Sequence, residues 1–415
     1  MFRQQLTARL FLGRWLSIIA VIGGVITGES VYVHAQTPQA RPSPAWLHEG
    51  VIYQIWLRSF TSEGTLRAAA ERLPWIRDLG ATIVYLPPVQ LADDDPREEF
   101  WSPRQVASHL NNPRNPYRIK DYFQIDPEYG SDADLRAFVD RAHQLGLRVL
   151  MDAVFYHCGP TSVVIDRPGF VQRDKHGKLV TGSWRFPLLN FNSPELREYL
   201  WRNLEYYVEE FDVDGFRCDV ADAIPLDFWE EARSRLDKVK PDLVILAEGQ
   251  NRPSDQLKAF DINYSFTWAQ LGRAIVAGGK PASVLQEYWE TARQAWPTHA
   301  RFIRFSANHD LVHDRENAEL VCGERGSAAL TVINFTIDGV PFLYNGQEIG
   351  DTTLQSIYGR WPIRWEAACL PKAVARYQLC QKLCLLRRNE KALSYGETVW
   401  LKNDQQSSVV SFLRK

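Results

Sequence analysis

Four acidic side chains are spaced so that one fold would bring them together. Asp219 and Glu248 lie 29 residues apart and Asp310 follows Glu248 by 62, one and two multiples of the roughly 30 residues that a strand–helix–strand unit occupies. Asp152 stands one longer interval upstream, and each of the four sits at or just past the end of an apolar run. Carboxylates gathered on one cavity repel one another and resist ionisation, so stability alone would not select them. Arg217, two residues before Asp219, projects to the same side of a strand. It would keep that carboxylate ionised and oriented, as a nucleophile requires. Glu248 follows Ile245-Leu246-Ala247, and an apolar setting raises a carboxyl pKa and equips it to protonate a leaving group. His157 ends the segment that Asp152 begins and His309 adjoins Asp310. Both can donate hydrogen bonds to hydroxyl groups of a ligand.

The elements that must position these groups appear from residue 51 onward, where short β-rich apolar runs alternate with amphipathic helical stretches. Eight runs read as strands: 51–57, 82–86, 148–154, 213–218, 243–247, 259–263, 302–306 and 341–344. Several are continuously apolar, the pattern of parallel strands buried on both faces. The helices between them carry start and stop signals. Stretches 65–79 and 132–145 are followed by Gly80 and Gly146, the residue expected at a helix C-terminus. Asn192-Ser193-Pro194 opens a third, with Leu196, Leu200, Leu204, Tyr207 and Phe211 on one face. Eight strands so spaced predict an α/β fold, a (β/α)8 TIM barrel. Two overlong intervals hold insertions, one around 93–115 and one over 158–190, a small subdomain after the third strand. Both follow a strand, the side on which such barrels build their sites. The barrel is expected over 47–390, and 391–415 as a short β remnant of a truncated C-terminal domain, with β-like runs at 397–401 and 408–413.

Composition bounds the function. The 415 residues carry 48 Lys and Arg against 50 Asp and Glu, so nothing points to a nucleic-acid or anionic-membrane partner. Hydrophobic content of 45% beside 24% charged residues excludes wholesale disorder. The 14 Trp within 12% aromatic residues can wall a flat-faced ligand as well as fill a core. Arg3, Arg9 and Arg14 precede an apolar stretch at 16–26, shorter than the about 20 residues of a bilayer span. Residues 1–35 therefore read as a secretory signal peptide ending at Val33-His34-Ala35, and 36–46 as a Pro-rich leader. The expected location is periplasmic or extracellular, with no membrane attachment after cleavage. The six Cys are scattered and no CxxC pairs with another, so most read as small buried hydrophobes rather than staples or zinc ligands.

The strand ends also carry a resemblance. Asp152-Ala-Val-Phe-Tyr-His157, Gly215-Phe-Arg-Cys-Asp219, Ile245-Leu-Ala-Glu248 and Phe305-Ser-Ala-Asn-His-Asp310 resemble the four characteristic segments of the α-amylase family of glycoside hydrolases. Tyr117-Arg-Ile-Lys-Asp-Tyr-Phe-Gln-Ile-Asp-Pro-Glu-Tyr-Gly130 and Gly339-Val-Pro-Phe-Leu-Tyr-Asn-Gly-Gln-Glu348 support it, across residues 48–390. The resemblance implies Asp219 as nucleophile, Glu248 as general acid/base and Asp310 as transition-state stabiliser. It implies that Arg217 positions Asp219, and that His157, His309 and Tyr117 bind the sugar in the reacting subsite, Tyr117 by stacking. Asp152 and Asp121 are implied to support the site structurally. The implied reaction is retaining hydrolysis of α-1,4 bonds in starch-derived oligosaccharides, with an α-glucan or maltooligosaccharide as partner.

The chain departs from the family pattern at two points. Tyr156 stands where the family often has a calcium-binding Asn, and Asp219-Val-Ala-Asp222-Ala223 replaces a segment that often continues into Lys-His. No metal or other cofactor is expected. Asp222 in place of a basic group is expected to alter the leaving-group side. Trp184 and Trp101 in the insertions are candidate sugar platforms, and Arg360 a candidate substrate contact. The alternative is transfer to a sugar acceptor, or sugar isomerisation, through the same covalent intermediate. A non-catalytic carbohydrate-binding relative would lack one of the three acids. A barrel for phosphorylated substrates would show a Gly-rich loop after strands seven and eight.

Overall fold

The computed structural model describes residues 38–110, 114–313 and 317–415; the signal peptide read from the sequence lies outside the described residues. Its strands are β1 (Ile52–Gln54), β2 (Ile83–Leu86), β3 (Gln90–Ala92), β4 (Ile119–Ile125), β5 (Arg148–Ala153), β6 (Gly215–Cys218), β7 (Val244–Ala247), β8 (Ile262–Asn263), β9 (Ile303–Arg304), β10 (Val340–Tyr344), β11 (Thr398–Trp400) and β12 (Phe412–Arg414). Eight of them form a sheet in the order β8-β7-β6-β5-β2-β1-β10-β9, every neighbouring pair parallel. A parallel bridge between Asn263 and Phe302 joins the two outer strands. The result is the expected (β/α)8 barrel. Its strands are shorter than the apolar runs: 51–57 yields only β1, because Leu57–Phe60 coils into a helical turn.

Alternation along each strand sorts the core into two layers. Ile52, Ile83, Leu150, Leu246, Ile303 and Phe342 belong to one buried cluster inside the barrel. Their neighbours Tyr53, Val84, Met151, Phe216 and Ile245 belong to the larger cluster beneath the helices. Stepping two residues onward from the inner apolar positions reaches Gln54, Asp152 and Glu248, at the carboxyl ends of the strands. The helices begin and end on local chemistry. Thr65 accepts from the Ala68 amide and Gly80 closes that helix in the left-handed region (φ 96°). Ser131 and Asp134 form a capping box, and Ser193 accepts from the Leu196 amide ahead of Pro194. Each such cap contributes about 1 kcal/mol.

The first insertion holds a feature that the sequence did not signal, an antiparallel pair of β3 and β4. Its register shifts on both sides of Leu91, and such bulges break the two-residue period by which a strand is recognised. The second insertion is irregular, held by isolated bridges such as His157–Leu188 and Val171–Leu189. Asp93 ties the two insertions together: it accepts from the Thr161 amide (2.6 Å) and hydroxyl (2.8 Å) and from Arg118 (3.2 Å).

At the carboxyl end, β11 and β12 pair antiparallel. A two-stranded ribbon is marginal alone, but here Trp400 and Phe412 pack on the apolar cluster around Trp268, Leu285 and Ile337. The leader residues docked on the barrel bond through the Ala40 amide to Thr298 (2.9 Å) and the Arg41 amide to Gln256 (2.7 Å). Cys158, Cys218, Cys380 and Cys384 are buried, Cys322 half-buried and Cys369 exposed, all as free thiols. No described helix is long and apolar enough to cross a membrane.

Candidate active site

Arg217 is the hub of the mouth. It is fully buried, and its Nη1 donates to Asp152 (2.8 and 2.9 Å) and to Asp219 (2.8 Å). Its Nη2 lies 2.6 Å from Glu248 Oε1. The planar guanidinium is flanked by the rings of Tyr117 (5.8 Å) and Tyr264 (5.7 Å), so it is fixed in orientation. Glu248 takes a second bond from the Val220 amide to its Oε2 (2.8 Å). Val220 can offer that amide because its backbone is left-handed (φ 47°), a conformation costly for a β-branched residue and held only where the surroundings impose it. A lysine at 217 would present one ammonium to three carboxylates. Arg217→Lys is expected to lower stability by about 3 kcal/mol, read as a shift of the urea midpoint, and to lower kcat at least tenfold.

Asp152 is satisfied on every side, accepting Tyr85 (2.5 Å), Tyr117 (3.1 Å) and Arg217. From it a chain of bonds runs to His309. The His309 amide donates to Gln54 Oε1 (3.3 Å), which leaves Gln54 Nε2 to donate to His309 Nδ1 (2.9 Å). His309 Nε2–H then donates to the Tyr117 hydroxyl (2.7 Å), which donates onward to Asp152. The imidazole is stacked between Trp56 (5.2 Å) and Tyr117 (5.5 Å), and burial pushes its pKa down to about 4. It is neutral at pH 7. His157, likewise pushed down to about 4 by burial, donates Nε2–H to the Tyr117 carbonyl (3.0 Å). Its Nδ1 is buried without a partner, and with Nε2–H spent on that carbonyl the neutral His157 has no donor left for a sugar hydroxyl.

Asp310 differs from the other acids. Burial acts to raise its pKa, but His309 and Arg104 outweigh burial and hold it at about 2, with Arg104 Nη1 2.7 Å away. Burial pushes both Asp219 and Glu248 upward, and the neighbouring carboxylates add to the shift despite Arg217. Four acids share two arginines, so Asp219 and Glu248 titrate as one unit that retains a proton.

The surrounding pocket has a volume of about 270 Å³, with Tyr117, His157, Trp184, Phe186, Phe266 and Tyr358 among its walls and Asp219, Glu248, His309, Asp310 and Arg104 at its polar end. An aromatic wall facing a polar floor suits a sugar ring. Asp121 is not brought to this group: its carboxylate accepts the Phe123 amide (2.9 Å) on the bulged β4 outside the barrel. Trp184 lines the pocket and Trp101 does not. Arg360 is spent on Glu63 and Glu128. Asp222 is not among the residues that line the pocket. It accepts the Gln250 and Asn251 amides (3.1 and 3.2 Å) and lies so close to Gly249 that a Cβ there would come within 2.1 Å of it. Tyr156, where the family often has Asn, packs its ring edge-on to Trp184 and brings no carbonyl or carboxylate oxygen of the kind that calcium sites use. Gln54, Tyr85 and Tyr264 were missed as site residues although each is a polar group on an inward strand position, a signal that was available. Arg104 had none.

A parallel barrel whose strand ends gather paired carboxyls around one arginine, beside an aromatic wall, defines a barrel glycosidase. The family model for the α-amylase catalytic domain matches residues 39–168 and 174–379. A cyclomaltodextrinase of Geobacillus thermopakistaniensis is 27% identical over 88% of this chain. The chain spans 66% of that enzyme's length, and 48% of that of an α-amylase of Haloarcula japonica to which it is 29% identical over 78% of its own. Among solved structures, a maltogenic α-amylase from Thermotoga neapolitana superposes with a TM-score of 0.75 at 29% identity, covering 88% of this chain and 83% of that one. An α-amylase from Lactobacillus plantarum gives 0.75 at 27%, covering 88% and 85%. The chain belongs to the α-amylase family.

Proposed function

We propose that the protein hydrolyses α-1,4-glucosidic bonds in maltooligosaccharides or related short α-glucans with retention of configuration. The observation that carries this is the shared guanidinium: Asp219 on Nη1 at 2.8 Å and Glu248 on Nη2 at 2.6 Å. Two carboxyls on one planar fork are close neighbours, in keeping with the about 5 Å of a retaining pair rather than the 6.5–9.5 Å that an inverting pair leaves for water. The aligned Arg217 bond favours the ionised Asp219, so the retained proton belongs on Glu248. Asp219 attacks the anomeric carbon as Glu248 protonates the departing glycosidic oxygen. Glu248, now a base, takes a proton from water, which displaces Asp219 and restores the α configuration. Asp310, ionised throughout, offsets positive charge developing on the ring.

The names of the relatives, cyclomaltodextrinase and neopullulanase, set the panel that tests this: maltotriose, starch, cyclodextrin and pullulan, with the product anomer followed by NMR. α-Anomeric maltose or glucose as the first product is expected. A β-anomer, or no cleavage of any member, would overturn the reading. Longer oligomers appearing early from maltotriose would instead indicate transfer to a sugar acceptor. Export is proposed on Arg3, Arg9, Arg14 and the apolar stretch at 16–26, although one relative is named an intracellular maltogenic amylase. Sequencing the amino terminus of the protein from its native source tests it, and a mature chain that still begins at Met1 would refute it.

A further inference from the structure

At the end of the barrel opposite the catalytic mouth lies a second cavity of about 290 Å³, lined by Arg293, Arg301 and Arg414 together with His48, Ser394 and Asp338. The three arginines are held by neutral groups alone. Arg293 donates to the Ala300 carbonyl (3.3 Å), and Arg301 to His48 Nδ1 (3.1 Å) and the Arg41 carbonyl (3.4 Å). Arg414 donates to the Gly396 carbonyl (2.6 Å) and the Thr336 carbonyl (3.4 Å). Among the described residues none of the three forms an ion pair with a carboxylate. The carboxylates nearby are already engaged: Asp338 by Arg304 (2.8 Å) and Trp289 (2.9 Å), Glu49 by Lys391 (3.0 Å), and Asp261 by Arg41 and Arg233.

Arg387 adds a fourth cation beside them. It is buried and bonded only to the carbonyls of Gly50, His48, Gly339 and Leu393. Burial, and then repulsion from Arg414, push its pKa down to about 9, and burial with repulsion from Arg301 pushes His48 to about 4. Asp338 and Asp261 attract these cations from a distance, but buried or half-buried cations without a direct carboxylate partner are costly, and carbonyl dipoles compensate them only in part. Two donors there are also unspent, for Ser394 Oγ and Arg414 Nε are buried without a partner. The lip of the cavity carries a strained residue, His299, at φ 65°, and strain of this kind concentrates at binding sites.

We propose that this cavity binds a small tetrahedral oxyanion, inorganic phosphate or the phosphate group of a sugar phosphate, between Arg293, Arg301 and Arg414, with the Ser394 hydroxyl as an additional donor. The guanidinium fork matches the spacing of phosphate oxygens, and the unspent Arg414 Nε–H and Ser394 O–H can each reach a separate oxygen, an arrangement that a single spherical chloride cannot satisfy. The site lies on the amino-terminal face of the strands, where a barrel invests in stability rather than chemistry. Its ligand therefore stabilises the fold and leaves the catalytic pocket unchanged.

The test follows thermal unfolding of the full chain against sodium phosphate, glucose 6-phosphate and sodium chloride at matched ionic strength. Phosphate is expected to raise Tm saturably by about 3 °C, and chloride not at all. Whichever of inorganic phosphate and glucose 6-phosphate saturates at the lower concentration identifies the source of the group. Arg414→Gln and Arg293→Gln are each expected to weaken that saturation at least tenfold while leaving maltotriose hydrolysis intact. Should Arg414→Gln fail to fold through loss of its Gly396 bond, Arg293→Gln, whose guanidinium bonds the Ala300 carbonyl and lies over the Trp289 ring, carries the comparison. A Tm that climbs linearly without saturating reports general exclusion of phosphate from the surface and overturns the proposal. So does an equal response to chloride, or undiminished affinity in the folded variants.

Discussion

Replacing Asp219 by Asn is expected to abolish turnover of maltooligosaccharides, by about 10⁴-fold or more in kcat, in a protein that is as well folded as the parent. The shape changes little: the amide oxygen of Asn can still accept from Arg217 Nη1, which bonds Asp219 Oδ1 at 2.8 Å. What is lost is the atom that forms the covalent bond to the anomeric carbon. Stability should move the other way. Burial, together with Glu248, Asp152 and Asp310, raises the pKa of Asp219 in the folded state. A raised folded pKa means that the wild type is favoured below the unfolded value, near 3.9, and loses that advantage as pH rises through the folded value. The Asn variant carries no such penalty. Its Tm at pH 7 is expected to exceed that of the parent by about 2 °C, and the difference to vanish toward pH 3. Scanning calorimetry at the two pH values, with progress curves on maltotriose, checks both halves. Appreciable cleavage by the purified variant would remove Asp219 from the role of nucleophile.

What could be read in advance follows from how each contact is encoded. Barrel strands such as β7, Val244–Ala247, are buried on both faces and therefore apolar throughout, so eight of them stand out at unit spacing. The acids that end them inherit their placement from that spacing. Contacts made by the insertions have no such period. Arg104 reaches Asp310 across 206 residues of sequence, and nothing local in either segment announces the pair. The hairpin of β3 and β4 was obscured by its bulges. Asp222 illustrates another limit. Its place where the family often has a basic group suggested an effect on the leaving-group side, but a carboxylate beside a glycine with backbone amides ahead of it folds back onto them. Polar residues on inward strand positions, Gln54 and Tyr85, were legible and carry as much of the site as the histidines do.

Glu248→Gln is expected to separate the two halves of the reaction. Gln keeps the volume and can still accept the Val220 amide, which meets Glu248 Oε2 at 2.8 Å, but it can neither give nor take a proton. With maltotriose, whose leaving group needs protonation, kcat is expected to fall about 10³-fold. With α-glucosyl fluoride the leaving group departs unaided as fluoride, the Asp219 carboxylate is glycosylated at near the parental rate, and the glycosyl ester accumulates because no base activates water. Azide needs no base. It should restore turnover and yield α-glucosyl azide, since it enters from the face that the fluoride left. The same experiment at nucleophile-deficient position 219 would give the β-azide, so product configuration distinguishes the two roles without reference to rates. The pH profile gives an independent reading. Burial raises the pKa of Glu248, so the alkaline limb of kcat/KM in the parent marks loss of the proton that the pair shares, and activity falls as pH rises through it. In Glu248→Gln that limb should be absent, while the acid limb, set by protonation of Asp219 beside a residue 248 that is already neutral in the parent, persists near its parental pH. An unchanged alkaline limb would assign the shared proton to some other group.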